Sequence, residues 1–202
     1  MLALNLRRKD ASSLDFARKS IASFPLRAGM ALAVLRNHEL REGRPAEARA
    51  LYERHNPELL SEDDPIIDSN NYGSAIDLAW VLIRTGERDR ADLLLDRSLE
   101  YIQTIPRLGF GYGIADVEIY ALQGDKQKAL SALRQAIDEG WRVHWWYDLK
   151  HDPNLESLHD EPEFQAMVAE IEADMAAQLA RVREMERNGE LEPIPEVSAA
   201  NQ

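Results

Sequence analysis

Three segments of the chain share one spacing of a glycine, an alanine and a large apolar residue, and this repetition constrains the fold more than any other feature. In each segment the alanine follows the glycine by five residues, and the large apolar residue follows the alanine by four. A repeated spacing of this kind indicates an array of similar units. The three sets are Gly43, Ala48 and Tyr52, then Gly86, Ala91 and Leu95, then Gly124, Ala129 and Leu133.

Each copy is predicted to be a helix, a tight turn and a second helix. Apolar residues recur at helical spacing before each glycine, as at Leu32 and Leu35 in the first copy. Glycine can adopt the left-handed conformation that ends the first helix. The alanine is small enough to let the two helices approach, and the apolar residue one turn later fills the space between them. One pair buries only one face, so we expect successive pairs to stack.

At these residues the chain resembles the tetratricopeptide repeat family, whose units carry a W-x2-L-G-x2-Y, A-x3-F, P pattern. The leading tryptophan is absent, and Arg36 and Val117 stand where the family has a small residue. Helical-pair repeats of the HEAT or armadillo type are the nearest alternative. The copies read Leu32-x2-Leu35-Arg36-x2-Glu39 with Ala48-x3-Tyr52, then Ala75-x2-Leu78-Ala79-x2-Leu82 with Ala91-x3-Leu95, then Gly113-x2-Asp116-Val117-x2-Tyr120 with Ala129-x3-Leu133.

The resemblance implies an all-α fold, a right-handed α-solenoid of antiparallel helix pairs with a long C-terminal capping helix. Residues 29–140 are predicted to form three helix pairs, preceded in residues 1–28 by a partial repeat or capping helix. Residues 141–189 are predicted to hold an aromatic segment and the capping helix, which should run from about Glu163 to Asn188. The proline-containing residues 190–202 are predicted to be a disordered tail.

The end of the chain carries a second resemblance. Residues 152–164, with the following alanine-rich helix, resemble the C-terminal end of bacterial regulators that join tetratricopeptide repeats to a winged-helix or nucleotide-cyclase domain. No winged-helix or cyclase residues accompany them in this sequence. The resemblance implies the partner-sensing or autoregulatory portion of such a system.

The acidic charge of the chain narrows the classes of partner. The net charge is −12, and residues 151–202 carry 13 acidic but only 3 basic side chains. Such a surface repels phosphate backbones, so no nucleic-acid partner is predicted. No apolar run approaches the roughly 20 residues of a membrane span, so no membrane partner is predicted. The N-terminal residues lack the order of a secretory signal, and we expect a cytoplasmic location.

No enzymatic activity, cofactor or metal site is predicted. His144, His151 and His159 follow one another at intervals that match no compact helical ligand pair, and the chain has no cysteine. Neither a G-x-S-x-G motif nor a phosphate-binding P-loop is present. The aromatic run from Trp141 to Tyr147 could stack on a ligand, but the favoured interpretation is packing over the exposed end of the array. A hydrolase or metal enzyme stays the third class of function, to be tested by elemental analysis.

The leading hypothesis is a protein-interaction scaffold. In tetratricopeptide arrays the first helices line a concave groove that binds peptides, and the pattern places Asn37, Arg41, Trp80, Arg84 and Glu118 on that surface. The asparagine and the two arginines are predicted to hold the carboxylate or backbone of a peptide, with Trp80 as an apolar anchor. The competing interpretation leaves Trp80 in the core and the arginines in solvent.

The partner is predicted to be a protein or peptide within a bacterial regulatory or signalling system. The alternative function is a sensor or self-association module separated from a larger transcriptional or cyclase regulator. In that alternative, a homodimer forms through the C-terminal helix or the aromatic segment.

Overall fold

The chain is all-helical where its structure is described. The computed structural model describes residues 13–23, 29–61, 64–109 and 111–191, and no strand occurs among them. Two 3-10 helices, Pro57–Leu60 and Pro153–Leu158, accompany the α-helices. The α-helices are α1 (Ser13–Ser23), α2 (Gly29–Arg41), α3 (Pro45–His55), α4 (Tyr72–Thr85), α5 (Arg88–Ile102), α6 (Ala115–Gln123), α7 (Lys126–Asp138), α8 (Trp145–His151) and α9 (Pro162–Arg187).

The three glycines of the repeat form the same turn. Gly43 joins α2 to α3, Gly86 joins α4 to α5, and Gly124 joins α6 to α7, with φ angles of 72°, 87° and 85°. In each turn the residue after the glycine donates its N–H to the carbonyl five residues earlier, at 2.8, 2.8 and 2.9 Å. This bond ends the first helix, and it requires the left-handed conformation that costs other residues about 1–2 kcal/mol.

The three alanines of the repeat lie where the helices of each pair meet. Ala48, Ala91 and Ala129 are fully buried, and so are the large apolar residues one turn after them. The pairs α2 with α3, α4 with α5, and α6 with α7 pack against each other. The prediction of helix, glycine turn and closely packed second helix is therefore confirmed for all three copies.

Consecutive pairs also pack on one another. Helix α4 contacts α3 as well as the first helices α2 and α6, and α5 contacts α6. Buried apolar side chains form two main clusters that meet at α6, where Ile119 belongs to the first and Val117 to the second. Val117, which stands where the repeat pattern has a small residue, is fully buried.

The two ends of the described chain are helical, as predicted. The predicted partial repeat or capping helix of residues 1–28 contains α1, which packs on α2, and the rest of this range lies outside the described residues. Helix α9 packs on α7 and is followed by Gly189 at φ 70°. Its apolar side chains are covered in the first half of the helix, whereas Leu179 and Val182 remain 49% and 43% exposed. The predicted disordered tail lies almost wholly outside the described residues.

The residues that follow the aromatic segment pack on the first helices. The 3-10 helix Pro153–Leu158 packs against α4, α6 and α7, and its Leu155 and Leu158 are fully buried. Asp152 and Asn154 reach as far as α2, where they contact a buried arginine. Residues 145–158 therefore run along the face formed by the first helices. The packing itself was predicted correctly, since Trp141 and Tyr147 are buried.

Among the residues that the structure describes, no helix combines the length and the hydropathy that crossing a membrane requires.

Candidate functional site

A buried arginine lies at the centre of the face formed by the first helices. Arg36 projects from α2 and is completely removed from solvent. Its guanidinium forms an ion pair with Asp77 of α4 and donates to Asp152, at 3.4 Å, and to Asn154, at 3.4 Å. Its Nε donates to the side-chain oxygen of Asn37 at 3.0 Å. One side chain thus joins α2, α4 and the segment after α8.

The partners of Arg36 are themselves hydrogen-bonded. The hydroxyl of Tyr52 donates to Asp77 at 3.0 Å, and the side-chain amide of Asn154 donates to the other oxygen of Asp77 at 3.0 Å. The backbone N–H of Asn154 donates to Asp152 at 2.9 Å. Burial alone would lower the pKa of Arg36, but the nearby carboxylates, Asp77 above all, raise it above its ordinary value. The arginine therefore stays charged in the interior.

This cluster was not predicted from the sequence, although the pattern around Arg36 and Asp77 indicates a buried charge pair. Arg36 directly follows the apolar run from Ala31 to Leu35, and Asp77 interrupts the apolar stretch of α4. A charge inside an otherwise apolar helix face indicates a buried pair. Asp152 and Asn154 carried no such signal, because they are 116 and 118 residues away from Arg36 along the chain.

A cavity of about 890 Å³ opens beside this cluster, between α2, α4 and the segment 145–159. We call it the groove cavity. Four of the five residues predicted for the peptide groove line it, namely Asn37, Arg41, Trp80 and Arg84. Its opposite wall is formed by Trp146, Tyr147, Lys150 and Glu156. The structure thus brings two helices of the predicted groove together with a segment that was not expected there.

The two arginines of the groove cavity keep their charges accessible. Arg41 is exposed and makes no hydrogen bond or ion pair with another described residue. Arg84 is also exposed, with its Cζ 5.2 Å from the ring centre of Trp80 and its guanidinium 4.0 Å from Glu156. Trp80 is mostly buried, at 8% exposure, yet it contributes to the cavity wall. The cavity therefore presents two guanidinium groups beside an aromatic surface.

The side-chain amide of Asn37 is hydrogen-bonded within the chain. Its side-chain oxygen accepts from Arg36, and its side-chain amide donates to the hydroxyl of Tyr147 at 2.9 Å. Both ends of the amide are therefore occupied by the chain itself. Asn37 positions α8 against α2, and burial raises the pKa of the Tyr147 hydroxyl to about 12, so this group stays neutral.

The histidines predicted to be surface residues fall partly on the groove cavity. His151 and His159 line it, whereas His144 precedes α8 with a φ of 51°. The Nε2 atom of His159 is buried without a hydrogen-bond partner among the described residues. Within that part of the chain, no group of three or more histidine and acidic side chains is arranged to hold a metal ion.

Glu118, the fifth predicted groove residue, lines a different cavity. This second cavity has a volume of about 350 Å³ and lies between α2, α4, α6 and α8. Asp77, Asp148 and Asp152 also line it, and we call it the acidic cavity. Burial, followed by the charges of Asp152 and Asp148, raises the pKa of Glu118 well above its usual range. Glu118 is therefore separated from the two arginines with which it was grouped.

The chain matches no protein-family model, no curated protein and no solved structure. The geometry of the two cavities therefore carries the functional proposals.

Proposed function

We propose that this chain is a protein-interaction scaffold whose groove cavity binds an extended segment of another polypeptide. The observation that carries the proposal is the convergence of Arg41, Arg84 and Trp80, from two helices, on one cavity of about 890 Å³. A cavity of this size lies in the range that encloses a drug-sized ligand or a few residues of a peptide. No catalytic group is assigned to it.

The fold that we propose for the scaffold is a tetratricopeptide-like, right-handed solenoid of antiparallel helix pairs. The same turn and the same buried alanine recur in three copies, which supports a repeating unit. The contacts of α4 with both α2 and α6 support a layer of first helices on the concave side. The segment 145–158 lies along this layer and narrows the groove to the cavity that we describe.

The chemistry of the cavity favours a carboxylate on the bound segment. A guanidinium offers planar, paired N–H donors that match the two oxygens of a carboxylate, and such charge-assisted bonds are stronger than neutral ones. Arg41 has no partner among the described residues to give up on binding. Arg84 already lies over Trp80, so a bound residue can contact the guanidinium and the ring together. Trp80 then serves as the apolar anchor of the complex.

The setting that we propose is a bacterial regulatory or signalling system, in the cytoplasm. This proposal rests on the resemblance of residues 152–164 to the end of such regulators, and it is separate from the proposal of the groove itself.

Peptide selection tests the groove. Peptides with free C-termini are selected from a random library on the intact chain, and the affinity of the best peptide is measured by fluorescence anisotropy. We expect Arg41→Ala and Arg84→Ala each to weaken binding roughly tenfold, the loss of one charge-assisted hydrogen bond. Arg181→Ala, an exposed arginine on α9, is the matched control and should leave the affinity unchanged.

Two results would remove the groove proposal. One is the absence of any peptide that binds saturably, and the other is an affinity that Arg41→Ala and Arg84→Ala do not alter. Amidation of the C-terminus of the peptide is a further test, because it removes the terminal carboxylate and leaves the protein unchanged.

A second candidate function, self-association through α9, is favoured by the exposed part of that helix. Leu179 and Val182 lie one turn apart and are largely open to solvent, beyond the point where α9 packs on α7. Sedimentation equilibrium of the intact chain and of Leu179→Glu tests this candidate. A dimer that the substitution converts to monomer supports it, and a monomeric wild-type chain at high concentration rejects it.

A further inference from the structure

Four carboxylates line the acidic cavity, and two of them have no ion-pair partner among the described residues. Asp77, Glu118, Asp148 and Asp152 all line it. Arg36 pairs with Asp77 and Asp152, but the side chains of Glu118 and Asp148 form no hydrogen bond or ion pair with any described residue. Partly buried carboxylates that have no ion-pair partner among the described residues are costly, and a bound cation would lower that cost.

The arginine on the wall of the acidic cavity is not available to these carboxylates. Arg107 donates to both oxygens of Asp116, at 2.9 and 2.8 Å, and to Glu139 at 3.0 Å. It also donates to the carbonyl of Gly113 at 2.8 Å. The guanidinium of Arg107 is thus held by three partners, and it forms no ion pair with Glu118 or Asp148.

Aromatic side chains form part of the remaining walls, and two exposed apolar side chains also line the cavity. Trp141 and Tyr147 line the cavity and are buried, and Tyr72 lines it while stacking on Tyr101 with ring centres 5.7 Å apart. On the rim, Leu108 and Val143 are 43% and 60% exposed, so two large apolar side chains face solvent at the entrance.

We propose that the acidic cavity binds an alkylammonium group, with the ammonium between Glu118 and Asp148 and the alkyl chain along the aromatic walls and the apolar rim. Carboxylates and aromatic faces both stabilise an organic cation, and apolar walls suit its hydrocarbon part. At about 350 Å³ the cavity is near the lower limit for ligand sites, which fits a single lysine side chain or a small free amine.

This inference does not rest on the proposed peptide groove. The two cavities share Tyr147 and Asp152 on their walls, while Glu118 and Asp148 line only the acidic cavity and Arg41 and Arg84 only the groove cavity. Either site can therefore fail in experiment without affecting the other.

Calorimetric titration with n-butylammonium and with Nα-acetyl-lysine amide tests the proposal, the first representing a free amine and the second a lysine of a partner. We expect saturable binding of at least one probe to the intact chain. Glu118→Gln and Asp148→Asn should each weaken it roughly tenfold or more. Glu163→Gln, an exposed carboxylate at the start of α9, is the control and should have no effect. The probe that binds more tightly identifies the source of the ammonium.

A second variant keeps the test decisive if a substitution inside the cavity disturbs folding. Val143→Arg adds a guanidinium at an exposed rim position, and we expect it to compete with the probe and weaken its binding. Binding should also release protons, seen as a heat that depends on the ionisation enthalpy of the buffer, because the cation favours the charged carboxylates. Absence of binding by both probes, or equal binding by wild type, Glu118→Gln and Val143→Arg, would overturn the proposal.

Discussion

The guanidinium of Arg36 pairs with the carboxylate of Asp77 in the interior, and this contact joins α2 to α4 across 41 positions of the sequence. The same guanidinium donates to Asp152, which lies after α8. A single buried charge therefore holds the segment 145–158, which lines the groove cavity, against the first helices. Such a pair adds little net stability compared with an apolar core, but it makes the arrangement specific, because each partner is costly without the other.

Removal of the buried charge should destabilise the fold strongly. We expect Arg36→Met to lower the free energy of unfolding by about 3–5 kcal/mol, because Asp77 and Asp152 are left buried without a counter-charge. Arg41→Met on the same helix, at an exposed position, should change it by less than about 0.5 kcal/mol. Urea denaturation followed by circular dichroism measures both. The double variant Arg36→Met, Asp77→Asn should recover part of the loss, and full additivity of the two single changes would contradict the pairing.

The alanine of the repeat should not tolerate a larger side chain. Ala91 is fully buried between α4 and α5, so Ala91→Val is expected to cost about 1–3 kcal/mol through overpacking. Ala46→Val, at an exposed position near the start of α3, controls for the helix propensity of valine and should cost about 0.5 kcal/mol. The two costs are compared by chemical denaturation. Equal costs would show that the small side chain at position 91 has no steric role.

Replacement by alanine should lower the stability at one glycine, in the turn after α4, and raise it at another, within α4. Gly86→Ala is expected to destabilise by about 1–2 kcal/mol, since residue 86 has a φ of 87°. Gly73→Ala lies within α4 with no atom within 4 Å of the added methyl group, and it should stabilise by about 0.5–1 kcal/mol. Thermal unfolding of both variants gives the comparison. A destabilised Gly73→Ala, or a neutral Gly86→Ala, would contradict the assigned turn.

The repeat was accessible from the sequence because its causes are local. A glycine that ends a helix acts within five residues, and an alanine that admits a neighbouring helix acts within one turn, so both leave a fixed spacing such as Gly86, Ala91 and Leu95. The bounds of α9 followed in the same way from its apolar spacing and from Gly189. Local steric rules therefore predicted the helices, their turns and their pairing.

The candidate sites could be predicted only in part from the sequence, because the residues that form each site are distant from one another along the chain. Helical spacing put Arg41 and Arg84 on one surface, and the structure places both on the groove cavity. Spacing could not predict that the side chain of Asn37 would bond to Arg36 and Tyr147, because Tyr147 is 110 residues away in the sequence. Charge pairs between distant residues produce no periodic pattern in the sequence. The position of the segment 145–158 depends on such pairs, and spacing therefore could not predict it.

Stability should depend on pH through the acidic cavity. Burial, and then the charges of neighbouring carboxylates, raises the pKa of Glu118 and of Asp148 well above the usual range. A carboxyl group with a raised pKa in the folded state binds its proton more tightly there than in the unfolded chain. The protonated carboxyl group therefore favours the folded state at low pH. This stabilisation is lost as the pH rises from about 4 through the raised pKa.

Glu118→Gln should accordingly stabilise the chain at pH 7, and the gain should shrink as the pH falls toward about 4. Urea denaturation at several pH values measures the free energy of unfolding of wild type and variant. The contributions of the other carboxylates cancel in the difference between the two. Glu163→Gln, exposed on α9, serves as the reference and should show no such trend. A gain that is largest in acid would contradict the assigned direction.

Hydrogen exchange of the chain with and without its selected peptide tests the central claim most directly, because it locates the bound segment on the protein. We predict slower exchange in the C-terminal halves of α2 and α4, around Arg41 and Arg84, and in the segment 145–158. Protection confined to the exposed end of α9, or to α3, α5 and α7 without change at α2 and α4, would contradict the groove.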